Sequence, residues 1–298
     1  MMEHLTAKFA ISGAVAIAPG NGDLPKVTLT HPSGSSAEIY LHGAHVTSWR
    51  DARGEELFFL SRESNWAADK PIRGGIPVCW PQFGGQGPLP QHGFVRTNPW
   101  MLAGTEKLAG GNVTATLRLR ENDATLKLWP HRFDLELRVT LSASSLRLDA
   151  QVANTGNQPF DFQIALHTYF ALADIHRAAV RGLQGTTIVD TLRENARKAD
   201  AQPEIRFDGE TDRIYVHAPD TLSIRDEAAG RTFAIRKSGM ADVVVWNPWI
   251  AKSQRMPDFG DDEYLRMVCV ETGNMANRIR LALGQTWQGE TVLSAVRG

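Results

Sequence analysis

The sequence predicts an all-β protein, a large twisted antiparallel β-sandwich, on three observations. Apolar and polar residues alternate over long stretches, turn-forming residues punctuate those stretches, and long amphipathic helical patterns are nearly absent. Val113, Ala115, Leu117 and Leu119 alternate with Thr and Arg; Phe133, Leu135, Leu137, Val139 and Leu141 alternate with charged residues and Thr. Leu146, Leu148, Ala150 and Val152 follow a short Ser-containing turn, and Phe160, Phe162, Ile164 and Leu166 follow the turn Asn154-Thr155-Gly156-Asn157. A period of two is the signature of half-buried antiparallel strands, because successive side chains leave a strand on opposite faces.

Taken in order, strands are expected at residues 26–30, 37–41, 45–49 and 57–60, then in the four alternating segments, then at 221–225, 232–236, 242–246, 267–271 and 291–295. Only 65–70, 192–201 and 274–283 offer even short helical pieces. Strands that do not alternate with helices argue against parallel α/β folds, and so many strands are best buried as a sandwich. With no repeat, linker or low-complexity segment, residues 1–298 are read as one domain.

Composition narrows the function. A net charge of −1 excludes a strongly basic nucleic-acid binder by bulk charge. No stretch approaches the roughly 20 apolar residues of a membrane span. The short apolar part of the N-terminus lacks a basic leader and contains Ser12 and Gly13. A cytoplasmic monomer without nucleic-acid or membrane partners is the expectation. Cys79 and Cys269, both among apolar residues, read as buried free thiols. Nine histidines are present, His42 and His45 among them, but no zinc-type spacing, so no metal or cofactor is expected.

The segment 72–100, IRGGIPVCWPQFGGQGPLPQHGFVRTNPW, is rich in Gly and Pro yet carries Trp80, Phe83, Phe94 and Trp100. A solvated linker would not carry those aromatics, so it reads as an ordered, packed loop system. Arg73, Gln91, His92 and Arg96 within it suit an anionic, oxygen-rich small molecule.

Strand parity singles out one further residue, and the cost of a carboxylate in an apolar run singles out another. In the strand from Phe160 the even positions are apolar, which puts His167 with Asp161, Gln163, Ala165 and Tyr169 on the opposite face, near the strand end. A surface or merely hydrogen-bonded histidine fits that position as well as a functional one. Glu271 closes the apolar run MVCV, where a carboxylate is costly unless paired or functional, and desolvation would raise its pKa toward that of a useful base. Asp212, in GETDRIY, is either a turn residue or an acceptor for sugar hydroxyls; Trp80, Trp246 and Trp249 are candidates for an apolar wall against a sugar ring. No nucleophile motif or phosphate loop is present, so an acid and a base alone suit proton-transfer chemistry such as isomerisation.

The segments IRGGIPVCWPQFG, LPQHGFVR, LHTYF, ETDRIY and VCVETGN, in that order, resemble the galactose-mutarotase-like superfamily, and within it the glucose-6-phosphate 1-epimerases. The resemblance implies a supersandwich with the sugar on a concave face and no cofactor. It implies His167 and Glu271 as catalytic acid and base, and Arg73, Gln91, His92, Arg96 and Asp212 as contacts to a hexose 6-phosphate. An epimerase for unphosphorylated aldoses and a non-catalytic carbohydrate-binding sandwich are the alternatives.

Overall fold

Three antiparallel sheets carry the chain in a computed structural model that describes residues 2–297. The first sheet is a meander of Val15–Pro19, Pro25–Thr30, Ser36–Tyr40 and His45–Arg50. The nine-stranded sheet has at its centre the strands Arg231–Ser238, Thr286–Arg297, Ser145–Asn154 and Phe133–Leu141. Three of the four alternating segments, 113–119, 133–141 and 146–152, pair there in continuous register, Val113 opposite Leu141 and Leu141 opposite Leu146, so their apolar residues share one face. Those residues are almost fully buried and join one large core with side chains from the other two sheets.

The eight-stranded sheet positions the site. Thr211–Val216, Asp242–Asn247, Met267–Leu281 and Phe160–Leu166 run side by side within it, and the short Tyr169–Ala171 also pairs with Met267–Leu281. Its central strands are apolar on both faces, which is why VVVW and MVCV read as unbroken hydrophobic runs rather than alternations. One face (Val243, Val245, Val268, Val270) enters the main core; the other (Ile214, Val244, Trp246, Met267, Cys269, Tyr169) enters a second apolar cluster. Glu271 stands on this second face.

Several expectations are corrected. Residues 274–283, rich in helix-forming side chains, do not form a helix: the strand runs on to Leu281 because Phe160 pairs with Leu281 and Phe162 with Ile279. Tertiary pairing overrides local propensity here. Glu271 therefore lies inside a 15-residue strand rather than at its end. Residues 192–201 form a turn and the exposed strand Ala196–Ala199, and 65–70 form turns. Residues 57–60 make only isolated bridges. Helices unforeseen in the sequence are Met2–Phe9, Asp123–Leu128 and Trp249–Ser253. Cys79 and Cys269 are free and buried. Among the described residues no helix is long and apolar enough to cross a membrane.

Candidate active site

Cross-strand register brings the candidate residues together. Asp212 pairs with Trp246, Trp246 with Cys269, and Cys269 with Tyr169, which makes one row across the second face. The adjacent row is Ile214, Val244 and Glu271. His167 follows the end of Phe160–Leu166, where its backbone N–H donates to Pro77 O and the next residue's carbonyl, Thr168 O, accepts from Val270 N–H. His167 Nε2 thereby lies 3.3 Å from Glu271 Oε1, and both side chains are buried. The imidazole stacks on Tyr169 at 4.8 Å and 10° and meets the Trp246 edge at 6.1 Å. The surface-histidine alternative is therefore excluded.

The 72–100 segment forms one wall. Trp80 is fully buried against Phe133, Trp129 and Phe94, with ring centroids 4.5, 5.0 and 5.8 Å away. Val78 and Cys79 pair with Leu166 and Ala165, which fixes the segment to the sheet beside His167. The Gln82 amide closes the glycine-rich turn by donating to Gly84 O and Leu89 O while accepting from Leu89 N–H. Gly93, at φ +74, passes so close to Trp80 that a Cβ would sit 2.0 Å from its carbonyl oxygen. No side chain fits there, and this contact sets the position of Gln91 and His92. His92 Nδ1 accepts from Gly84 N–H at 3.2 Å, and its ring centroid is 5.4 Å from that of His167.

A cavity of about 460 Å³ opens over the pair. Arg73, Gln91, His92, His167, Asp212 and Glu271, six of the seven residues singled out in the sequence, line it. Arg96 does not; its Nη2 donates to Gln91 O at 2.9 Å. Arg96 has no carboxylate partner among the described residues, although burial and the Arg73 charge work against its own positive charge. Arg73 is held by Asp258, accepting from Nε at 3.1 Å and Nη2 at 3.0 Å, and by the Tyr169 hydroxyl, accepting from Nη1 at 3.0 Å. Of the three tryptophans, only Trp246 lines the cavity; Trp80 is core, and Trp249 packs on Tyr264 and His176.

Two neighbours of these residues were not singled out in the sequence. Asp258 is the first. The second is Lys252, which lines the cavity with Nζ 3.1 Å from Glu210 Oε1 and 3.6 Å from Asp212 Oδ2. The NPW motif places it: Asn247 accepts from Trp249 N–H and donates to Tyr264 O and Met267 O, which anchors the short helix carrying Lys252. His42 and His45 are structural, each pairing through Nε2 with a carbonyl, of Lys70 and Gly74 respectively.

Burial sets the electrostatics. It pushes the Glu271 carboxyl well above its usual range, and the Asp212 charge adds to this. It holds His167 well below 6.5, reinforced by His92, Arg73 and Arg96. His92 falls to about 3, through burial and then the two arginines, and stays neutral. Burial raises Asp212, against the opposing Lys252 ammonium. Glu271 Oε2 and His167 Nδ1 are buried without a hydrogen-bond partner. Burial thus disfavours the charged form of each partner, and each keeps one buried polar atom with no protein partner, a combination of acid and base groups suited to proton transfer.

The profile described as aldose 1-epimerase matches residues 25–294. The chain belongs to the aldose 1-epimerase family. This epimerase is 41% identical over 280 residues to a protein of Cenchrus ciliaris, with 92% of this chain and 85% of the relative covered. It is 36% identical over 252 residues to a protein of Escherichia coli K12, with 84% and 83% covered. Both relatives bear the name "Putative glucose-6-phosphate 1-epimerase". A crystal structure described as "a putative mutarotase (YeaD) from Salmonella typhimurium" superposes with a TM-score of 0.89 at 29% identity, covering 100% of both chains. The fold is accordingly the mutarotase sandwich, and the epimerase is an isomerase that interconverts anomers.

Proposed function

We propose that this epimerase acts on D-glucose 6-phosphate and related hexose 6-phosphates, opening and reclosing the pyranose ring between Glu271 and His167. The observation that carries the reading is the buried 3.3 Å pair with one free atom on each partner, at the base of a sugar-sized cavity. Glu271, as carboxylate, takes the proton of the C1 hydroxyl. The O1 electrons form the aldehyde, the C1–O5 bond breaks, and O5 takes the proton of the His167 imidazolium. After rotation about C1–C2, His167 withdraws the O5 proton, O5 attacks the other face of C1, and O1 recovers its proton from Glu271. Nothing is consumed and the pair returns to its starting state.

The remaining residues divide by charge. Asp212 accepts from ring hydroxyls, Trp246 packs against the apolar face of the sugar, and Gln91 and His92 supply polar edges. Arg73 and Arg96 serve the phosphate. Support for this comes from Arg96 having no acidic partner, while Asp258 orients Arg73 through two N–H groups. A neutral aldose as substrate draws on the same contact, since Asp258 already offsets one arginine. Anomer exchange measured by NMR saturation transfer on glucose and on glucose 6-phosphate separates the two readings. The phosphate reading requires a higher kcat/KM for the phosphate ester and a drop of at least tenfold in Arg96→Ala on that substrate alone. Equal efficiency on both sugars refutes it.

A further inference from the structure

The face that holds the acid–base pair also holds a thiol. Cys269 and Glu271 are two residues apart on one strand and so point the same way, and the pairing of Tyr169 with Cys269 brings His167 beside them. One ligand atom from each of His167, Cys269 and Glu271 lies within 4.8 Å of the others, and all three residues are buried. We propose that these three side chains form a binding site for a thiophilic divalent cation such as zinc, whose occupation excludes the sugar and silences the enzyme. This rests on the pair being the reactive centre, as argued above.

The donor set and its spacing carry the inference. Zinc takes imidazole nitrogen, thiolate sulfur and carboxylate oxygen at about 2.0–2.3 Å, so donors around one tetrahedral ion stand roughly 3.5 Å apart. His167 Nε2 and Glu271 Oε1 already stand 3.3 Å apart. Only the thiol has to close in, by on the order of 1 Å, which is a rotamer-scale adjustment. The cavity supplies the fourth, open position. Nitrogen and sulfur donors favour zinc, cadmium or cobalt over magnesium, which demands an octahedral set of oxygens. His167 Nδ1 has no partner to brace it, and ligating histidines usually need one. The site therefore fits a reversible inhibitor rather than a resident cofactor. Cys269 does not line the cavity and takes no part in the proton transfers, so its replacement can separate inhibition from catalysis.

The test titrates zinc chloride into the full-length enzyme in chelator-treated buffer while anomer exchange is followed. Zinc should inhibit competitively with glucose 6-phosphate, and magnesium at the same concentration should not. Cys269→Ala should retain exchange and need at least tenfold more zinc for half-inhibition. Equal zinc sensitivity in native enzyme and variant, or equal inhibition by magnesium, overturns the proposal. If Cys269→Ala does not fold, cobalt(II) added to the native protein provides the readout. A thiolate-to-cobalt charge-transfer band is expected, and its absence overturns the site. A band that glucose 6-phosphate cannot displace overturns the proposal that occupation excludes the sugar, whereas anomer exchange in the metal-free enzyme tests the sugar reading separately.

Discussion

Replacing both members of the pair tests whether they act as one device. His167 Nε2 and Glu271 Oε1 are 3.3 Å apart, and each faces the other with no second protein partner for its remaining atom. A positioned acid or base contributes about 10²–10⁴ in rate, or roughly 3–5 kcal/mol of barrier. Glu271→Gln and His167→Asn should each lose that much kcat. Were the two contributions independent, the double variant would lose roughly 10⁴–10⁸. Ring opening, however, needs one proton to leave O1 as another reaches O5, so removing either group disables the step for both. The double variant should then fall no further than the worse single variant, as groups that act as a unit are strongly non-additive. The assay is saturation transfer between anomers at equilibrium, with uncatalysed exchange subtracted. Gln preserves the shape of Glu271, so the urea midpoint of that variant should not fall, whereas Asn leaves part of the buried imidazole's volume beside Tyr169 empty and should lower the midpoint without abolishing folding. Multiplicative losses, with intact folding, would refute the shared-proton argument.

Three further outcomes follow from the electrostatics of the site. The acid limb of the kcat/KM profile should lie below pH 6.5, because burial, His92 and the two arginines resist placing a second proton on the pair; a limb above 6.5 in a pH–rate series contradicts this. Lys252→Met should raise KM about tenfold, roughly 1.4 kcal/mol, because Asp212 loses the cation that opposes the burial-driven rise in its pKa, while kcat changes less; steady-state kinetics showing an unchanged KM would count against a substrate-binding role for Lys252. His45 is held down to about 3, chiefly by burial. A depressed histidine pKa means that the unfolded chain binds the proton first, so stability is full above pH 6.5 and is lost as pH falls toward 3. By pH 5 this one group should cost about 2 kcal/mol. Urea titrations at pH 7.5 and 5.0 should show that extra loss in native protein and not in His45→Leu, and parallel losses would be evidence against it.

Parity placed His167 in the sequence and the apolar run MVCV placed Glu271, while their roles as acid and base came only from the family resemblance. The alternation from Phe160 assigns Gln163, Ala165 and His167 to one face, and in the folded chain Gln163 accepts from Phe83 N–H and His167 faces Glu271. The same logic would have paired Cys269 with Glu271, since residues two apart on a strand share a face, but nothing in one sequence says which other strand adjoins them. Lys252 and Asp258 were not legible for a different reason. They follow the last periodic residue of Asp242–Asn247, in turns and a short helix whose course is set by Asn247 bonding to the carbonyls of Tyr264 and Met267. The polar stretch from Asn274 misled because its residues favour helix in isolation, while the neighbouring strand from Phe160 supplies pairing that isolation lacks.

The protonation of the pair bears on why the site is built on a two-faced sheet. Burial disfavours both charges, which favours a neutral carboxylic acid beside a neutral imidazole over an ion pair. The cyclic sugar needs the other tautomer, carboxylate and imidazolium, which carries the same single proton. Interconverting them moves one proton across 3.3 Å and requires no exchange with solvent. On the proposed mechanism, the neutral form is the one the pair occupies after ring opening, when the sugar is the open-chain aldehyde. Hydroxyl groups donating to the free Glu271 Oε2 on binding would favour the carboxylate and shift the pair toward the form that starts the reaction. On the proposed mechanism, the second apolar cluster, Ile214, Val244, Trp246 and Met267, excludes water from the pair and so works against its charged tautomer.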